Sequence, residues 1–321
     1  MSKTIVICCD GTGKDYSSVN TNVIHAVEYI IRDDKQIVYY DPGVGTMNFL
    51  GRPRQRSLGA SLGKLFGYGL VMRLMDLYKL LMHAYQAGDK VFLFGFSRGA
   101  YTARAFAGML YKCGLLEAGA YNLLPYVTRI YLTHDNNDIA AGFKQTFCRP
   151  CTPYFIGVWD TVKSLGYFLG KHFFDAKLNP ETQYAYHALS IDEKRKKFDV
   201  ALWDKKQSAD QTVEQVWFPG VHSDIGGGYV QRQLSDITLE WMLNKATRAG
   251  LRLKPDWQSH LNADPCGVMH NSRTGLWKLW SPLNRFIPEG SCLHQSVLDR
   301  LDNTELNYQP DNLPREYTIM P

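Results

Sequence analysis

Long apolar runs are missing from this 321-residue chain. Dense stretches such as Val91 to Phe96 fall far short of the roughly 20 residues that cross a bilayer, which argues against a membrane-spanning helix. A secretory signal is missing as well. Met1 to Cys9 carry one lysine and run straight into a strand-like Thr4 to Cys9, with no apolar stretch or small-residue cleavage site, so the expected compartment is the cytoplasm, with signal-less secretion left open. Cysteine is sparse and scattered: seven residues, at 8, 9, 113, 148, 151, 266 and 292, make no disulfide framework. Cys148-Arg149-Pro150-Cys151 has no second pair to close a zinc site, so free, buried thiols are expected and no metal. Charge is nearly balanced, at 36 − 31 = +5. Its one tight cluster, Lys194 to Lys197, reads first as a solvated helix face and second as a contact for phosphate or anionic lipid. A nucleic-acid partner is not expected. There is no repeat and no low-complexity linker, and 45% hydrophobic with 21% charged residues is the composition of a globular protein.

What is present is the alternation of short apolar runs with longer helical patterns that marks an α/β fold with a mainly parallel sheet. Strand runs are expected at Thr4 to Cys9, Ile37 to Tyr40, Val91 to Phe94, Tyr154 to Val158 and Val213 to Phe218. The run Val91 to Phe94 is continuous rather than alternating, as for a strand buried on both faces. Helices are expected behind Ser18 and Asn20 as caps, along the stripe Leu70, Leu74, Leu77 and Leu81, after Ser97, and from Ser235-Asp236 to Gly250. A glycine-rich, basic loop is expected from about Gly43 to Gly69, and residues 251–321 are read as irregular structure wrapped on the sheet.

Function is expected at the carboxyl ends of the strands, where loops converge and helix N-termini point. The sharpest motif there is Gly95-Phe96-Ser97-Arg98-Gly99, a G-x-S-x-G between a strand and an alanine-rich helix. A nucleophilic serine at such a turn needs glycines on either side, because a Cβ at either place would collide. A serine hydroxyl also needs a base and a group to orient that base. His222, just past the fifth run in a mobile, glycine-rich turn, is the first choice of base, and His294 the second. Asp160, at the end of Gly157-Val158-Trp159-Asp160, is the chosen acid. Asp224 is the alternative orienting group, or a turn cap. The order Ser97, Asp160, His222 is that of α/β-hydrolases. The N–H of Arg98 and that of Gly11 or Thr12 are expected to form the oxyanion hole, with Asp10 fixing the first loop. Gly11-Thr12-Gly13-Lys14 is too short for a nucleotide phosphate loop, and no cofactor is expected.

Several blocks together carry a resemblance: Cys9-Asp10-Gly11-Thr12, the run from Asp41 to Thr46, Gly95 to Ala100, Gly157 to Val162, His187 to Glu193, and Trp217 to Tyr229. In this order, over about residues 3 to 300, they resemble the α/β-hydrolase domain that forms the catalytic part of the first class of type VI secretion lipase effectors, which are phospholipases. The resemblance implies a Ser-Asp-His triad, carried onto Ser97, Asp160 and His222, and a lipid or phospholipid ester substrate with peripheral contact at a membrane. No further segment for membrane binding or secretion is evident.

The expectation is therefore a serine hydrolase of carboxylic esters working through an acyl-enzyme. Two other classes stay open: a noncatalytic hydrolase-like interaction module, and a metal-dependent phosphoesterase centred on Asp10. Ser97 and Asp160 are 63 residues apart and Asp160 and His222 are 62 apart, yet one site needs all three, so a single domain over 1–321 is expected. Cap insertions are read at about 115–150 and 163–210, and a C-terminal wrap at about 251–321. Tyr121, Tyr126, Tyr131, Phe143 and Phe147, and Tyr167, Phe168, Phe173 and Phe174, either line an acyl pocket or pack a cap onto the sheet.

Overall fold

Apolar residues on both faces of each central strand demand a layer of helices on either side of a sheet, and a computed structural model has that arrangement. It describes residues 2–11, 19–43, 62–162, 178–204 and 208–321. The strands are β1 (Thr4–Cys9), β2 (Gln36–Asp41), β3 (Lys90–Phe96), the short pair β4 (Leu115–Leu116) and β5 (Cys148–Arg149), β6 (Pro153–Trp159), β7 (Tyr184–Ser190), β8 (Thr212–Phe218), β9 (Ser291–His294) and β10 (Tyr317–Met320). The helices are α1 (Asn22–Tyr29), α2 (Leu62–Ala84), α3 (Arg98–Cys113), α4 (Leu124–Leu132), α5 (Asn137–Phe147), α6 (His222–Gly226), α7 (Gln233–Arg248) and α8 (Gln295–Asp302). Eight strands form one sheet in the order β10-β9-β8-β7-β6-β3-β1-β2, every neighbouring pair parallel, while β4 and β5 pair separately and antiparallel.

The period-2 alternation of a strand sorts its side chains between two cores. Ile5, Ile7 and Cys9 of β1 pack with α2 and α3, whereas Val6 and Cys8 pack with α1 and α7. The chain runs from β1 outward to β2 and then returns past β1 to β3, so the order reverses between β1 and β3. That reversal opens a crevice beyond the carboxyl ends of these two strands, which is where such sheets bind ligands. No helix among the described residues is long and apolar enough to cross a membrane.

The five expected strand runs and the helical stripes are all present. Three details differ. The cap of α1 is Thr21, whose hydroxyl accepts from Ile24 N, rather than Asn20, and Ser18 lies outside the described residues. β7, rich in tyrosine and histidine, adds a strand between β6 and β8. The C-terminal stretch is irregular apart from short 3-10 turns only as far as about residue 290. Beyond it β9, α8 and β10 extend the sheet, because Leu293 and Val297 bury against Trp217 and Leu189. The segment from β4 to β5 packs along α3, with the Tyr131 hydroxyl donating to Ala105 O and Lys144 Nζ to Tyr111 O. Tyr167, Phe168, Phe173, Phe174 and most of the loop from Gly43 to Gly69 lie outside the described residues. All seven cysteines are free, with Cys8, Cys9, Cys113 and Cys151 buried.

Candidate active site

Ser97 stands at the end of β3 and immediately before α3, with φ 58° and ψ −118°, a backbone conformation costly for a residue with a Cβ. The turn holds because its surroundings fix it. Ser97 N donates to Trp159 O on β6 at 3.0 Å, and Tyr101 N donates to Ser97 O. The flanking glycines are required sterically: a Cβ at Gly95 would lie 2.7 Å from Ala100 Cα, and one at Gly99 would lie 2.6 Å from the Asp10 carbonyl carbon. The N-terminus of α3 thereby points its first N–H groups, beginning with Arg98, toward the serine.

His222 lies 125 residues away in sequence, yet its Nε2 is 2.8 Å from Ser97 Oγ. It opens α6, so the mobile turn expected here is a one-turn helix. The imidazole is held between Phe96 and Phe198, at 4.6 and 4.9 Å between ring centres. Buried Asn22 of α1 anchors this region by donating to Ile225 O, Ser235 O and Thr238 Oγ1. On the other edge of the ring, His222 Nδ1 is 2.5 Å from Asp160 Oδ2, which assigns the proton between them to Nδ1 and leaves Nε2 facing the serine. Asp160 follows β6, the strand beside β3, and is itself at positive φ (42°). The turn is braced by Asp160 N donating to Ala188 O and Thr161 N donating to His187 Nε2.

The other side of Asp160 is gripped by a residue that sequence reading missed. Arg285 donates from Nη1 to Oδ1 at 2.5 Å and from Nη2 to Oδ2 at 2.9 Å, and the same two nitrogens also donate to Ser190 O and Phe198 O respectively. Ser190 N also donates to Oδ1. Burial alone would raise the Asp160 pKa, but the Arg285 charge and the bonds from His222 and Arg285 outweigh it and hold the carboxyl well below its usual range. Burial lowers the His222 pKa from its ordinary value despite the opposing pull of Asp160 and Glu193, so the imidazole is neutral near pH 7, as a base must be. Glu193, also buried, accepts from His222 N and Ser272 Oγ while paired with Arg195. A lone arginine in an irregular stretch gives no sequence signal, whereas Glu193 stands in one of the blocks that carried the resemblance.

The remaining expected residues divide. Asp10 fixes its loop, accepting from Gly11 N at 2.7 Å, Thr21 Oγ1 at 2.7 Å and Tyr40 OH at 3.0 Å. Gly11 lies beside Ser97, since a Cβ on it would be 3.5 Å from Ser97 Cβ. Its N–H, expected to face an oxyanion, donates instead to Asp10, because the carboxylate folds back over the turn. Thr12 lies outside the described residues. Asp224 does not orient His222. It accepts from Val221 N and from His270 N and pairs with His270 Nδ1 at 2.6 Å, capping α6 and tying it to the C-terminal stretch. His294, the second choice of base, stacks on Phe218 and hydrogen-bonds Ser296 at the start of α8, on a strand separated from β3 by β8, β7 and β6.

A curated relative, the uncharacterized protein YEL023C of Saccharomyces cerevisiae, is 30% identical over 217 residues, 61% of this chain and 32% of its own length, so the chain spans about a third of that protein. Among solved structures, an uncharacterized protein from Pseudomonas aeruginosa aligns at 20% identity and a TM-score of 0.47, over 80% of this chain and 47% of that one. Acyl-protein thioesterase 2 of Zea mays aligns at 12% identity and a TM-score of 0.31, over 76% of this chain and 94% of that one. The family model for the catalytic domain of Tle1-like T6SS phospholipase effectors matches residues 3–245, a span that takes in Ser97, Asp160 and His222. The chain belongs to this family of Tle1-like phospholipase effector catalytic domains, a family of ester-acting hydrolases.

Proposed function

We propose that this chain cleaves the carboxylic esters of a lipid, in first place a phospholipid, through an acyl-enzyme on Ser97. The observation that carries the reading is the unbroken hydrogen-bonded series from Asp160 through His222 to Ser97 Oγ at the tip of a strained strand-to-helix turn. Ser97 Oγ attacks the ester carbonyl carbon while His222 Nε2 takes its proton. The imidazolium so formed is stabilised by Asp160, and the tetrahedral oxyanion by the Arg98 N–H at the head of α3, a donor of a kind worth on the order of 3 kcal/mol. His222 then protonates the departing alcohol, and water, deprotonated by the same imidazole, releases the fatty acid from Ser97. The phospholipid substrate rests on the family. Gly95 and Gly99 let the turn form, Asp10 holds the loop after β1 against it, and Asp224 seats the helix that carries His222.

The test is a panel of phospholipids and water-soluble esters run on the wild type and on Ser97→Ala. Hydrolysis by the wild type that falls by roughly 10⁴-fold or more in the variant is the expected result. Hydrolysis that survives in Ser97→Ala and disappears with a chelator points to metal-dependent phosphoester chemistry instead. A folded wild type that turns over nothing points to a noncatalytic module.

A further inference from the structure

The described surface gathers large apolar side chains on one loop of the C-terminal stretch. Leu279, Trp280, Leu283 and Phe286 are 77%, 46%, 54% and 81% exposed. The segment 271–288 that carries them contains Arg273, Lys278 and Arg285 and no acidic residue. Beside it lies the basic cluster. Leu283 N donates to Lys194 O at 3.0 Å, Lys197 Nζ sits 5.3 Å from the Trp280 ring centre, and the Arg195 guanidinium sits 5.5 Å from that of Trp277. Lys194, Lys196 and Lys197 are exposed, and Asp199 is the acid that follows them.

This surface adjoins the site. Trp277 packs edge-on to Phe198 at 5.6 Å, Phe198 packs against His222, and Arg285 reaches inward from between exposed Asn284 and Phe286 to grip Asp160. A contiguous exposed apolar patch marks an interaction surface. Tryptophan with aliphatic and basic side chains is the composition that settles at a bilayer interface, the rings at headgroup depth and the lysines on anionic lipid. A second copy of the chain docked face to face would set Lys194, Lys196, Lys197 and Lys278 against themselves, so the charge favours an anionic partner.

We propose that residues 277–286, together with Lys194 to Lys197, are a docking surface for an anionic phospholipid bilayer, with Leu279, Leu283 and Phe286 entering the boundary between headgroups and acyl chains. The proposal builds on the lipid-ester reading, and its test separates the two. Ser97→Ala protein, which binds without turnover, is floated with vesicles of phosphatidylcholine containing phosphatidylglycerol and with vesicles of phosphatidylcholine alone. We expect partition to favour the anionic vesicles, and Leu279→Ser/Phe286→Ser and Lys196→Glu/Lys197→Glu each to weaken it by roughly tenfold or more. In otherwise wild-type protein the same double variants are expected to keep their rate on a short water-soluble ester and to lose rate on vesicle phospholipid in step with binding. Undiminished vesicle binding by both double variants overturns the proposal. So does an active protein that hydrolyses soluble esters but ignores vesicles, an outcome that leaves the ester reading standing. A concentration-dependent dimer broken by Leu279→Ser/Phe286→Ser, with no vesicle binding, overturns it in favour of self-association. Vesicle binding by a protein that hydrolyses no ester supports the surface and contradicts the ester reading alone.

Discussion

Asp160 accepts from His222 on one side and from both terminal nitrogens of Arg285 on the other, and this double engagement determines how the proposed site should titrate. Catalysis by His222 needs the neutral ring. Burial holds its pKa below the ordinary 6.5, so the acid limb of kcat/KM on a soluble ester should have its midpoint below that value. Arg285 also lowers the His222 pKa through its charge, so Arg285→Met should shift the limb to higher pH, an effect that a merely structural role would not produce. The same variant leaves a buried carboxylate without its guanidinium and should cost about 3–5 kcal/mol in denaturant unfolding. Asp160→Asn should lower kcat by about 10⁴-fold, because the ring is then no longer held in the tautomer that presents a lone pair to Ser97. Ser97, Asp160 and His222 could each be chosen from sequence, since each follows a recognisable strand run and their order is informative. Arg285 could not, because what makes it important is a contact across 125 residues.

At the level of elements, the tightest constraint is the turn from β3 into α3. Gly99→Ala would drive a Cβ into the backbone of Asp10, displacing the loop after β1 and the serine together. We expect a loss of about 1–3 kcal/mol in urea unfolding and a fall in turnover larger than the unfolded fraction explains. Gly142→Ala is the control. That glycine lies inside α5 with nothing within 4 Å of an added Cβ, so the change should stabilise by roughly 0.5–1 kcal/mol and leave turnover alone. The elements legible in the sequence were those with a simple period: continuous apolar runs for β1, β3 and β6, and the leucine stripe for α2. β7 was harder because Tyr184, Tyr186 and His187 interrupt an apolar run, although Tyr186 and His187 are buried between its neighbours. β9 and β10 are four residues each, too short for a pattern, and they form only because β8 offers an edge for β9 and β9 one for β10.

Over the whole molecule, the proposed site is assembled from the ends of β3, β6 and β8 and completed by a C-terminal residue outside the span matched by the family. The sheet, its crevice and three of its facing side chains were readable because strand ends in a parallel sheet converge at one edge. The C-terminal contribution was not, because it depends on tertiary contacts alone. Burial of titratable groups throughout the sheet also predicts acid lability. His187 and His294 are held neutral by burial, with pKa values lowered to about 3 and about 4, so their contribution to stability is complete above 6.5 and is lost as pH falls through those values. Asp160 adds a further loss below its ordinary 3.8. The unfolding free energy from urea titrations should therefore decline below pH 6.5, by up to about 1.4 kcal/mol per pH unit for each histidine. The central claim, that Ser97 is an activated nucleophile, is tested most directly by treating the folded protein with a fluorophosphonate and mapping the adduct by peptide mass spectrometry. A single phosphonylated Ser97 that is absent from Ser97→Ala and greatly slowed in His222→Ala is the result predicted. An unmodified protein, or an adduct at another residue, would contradict it.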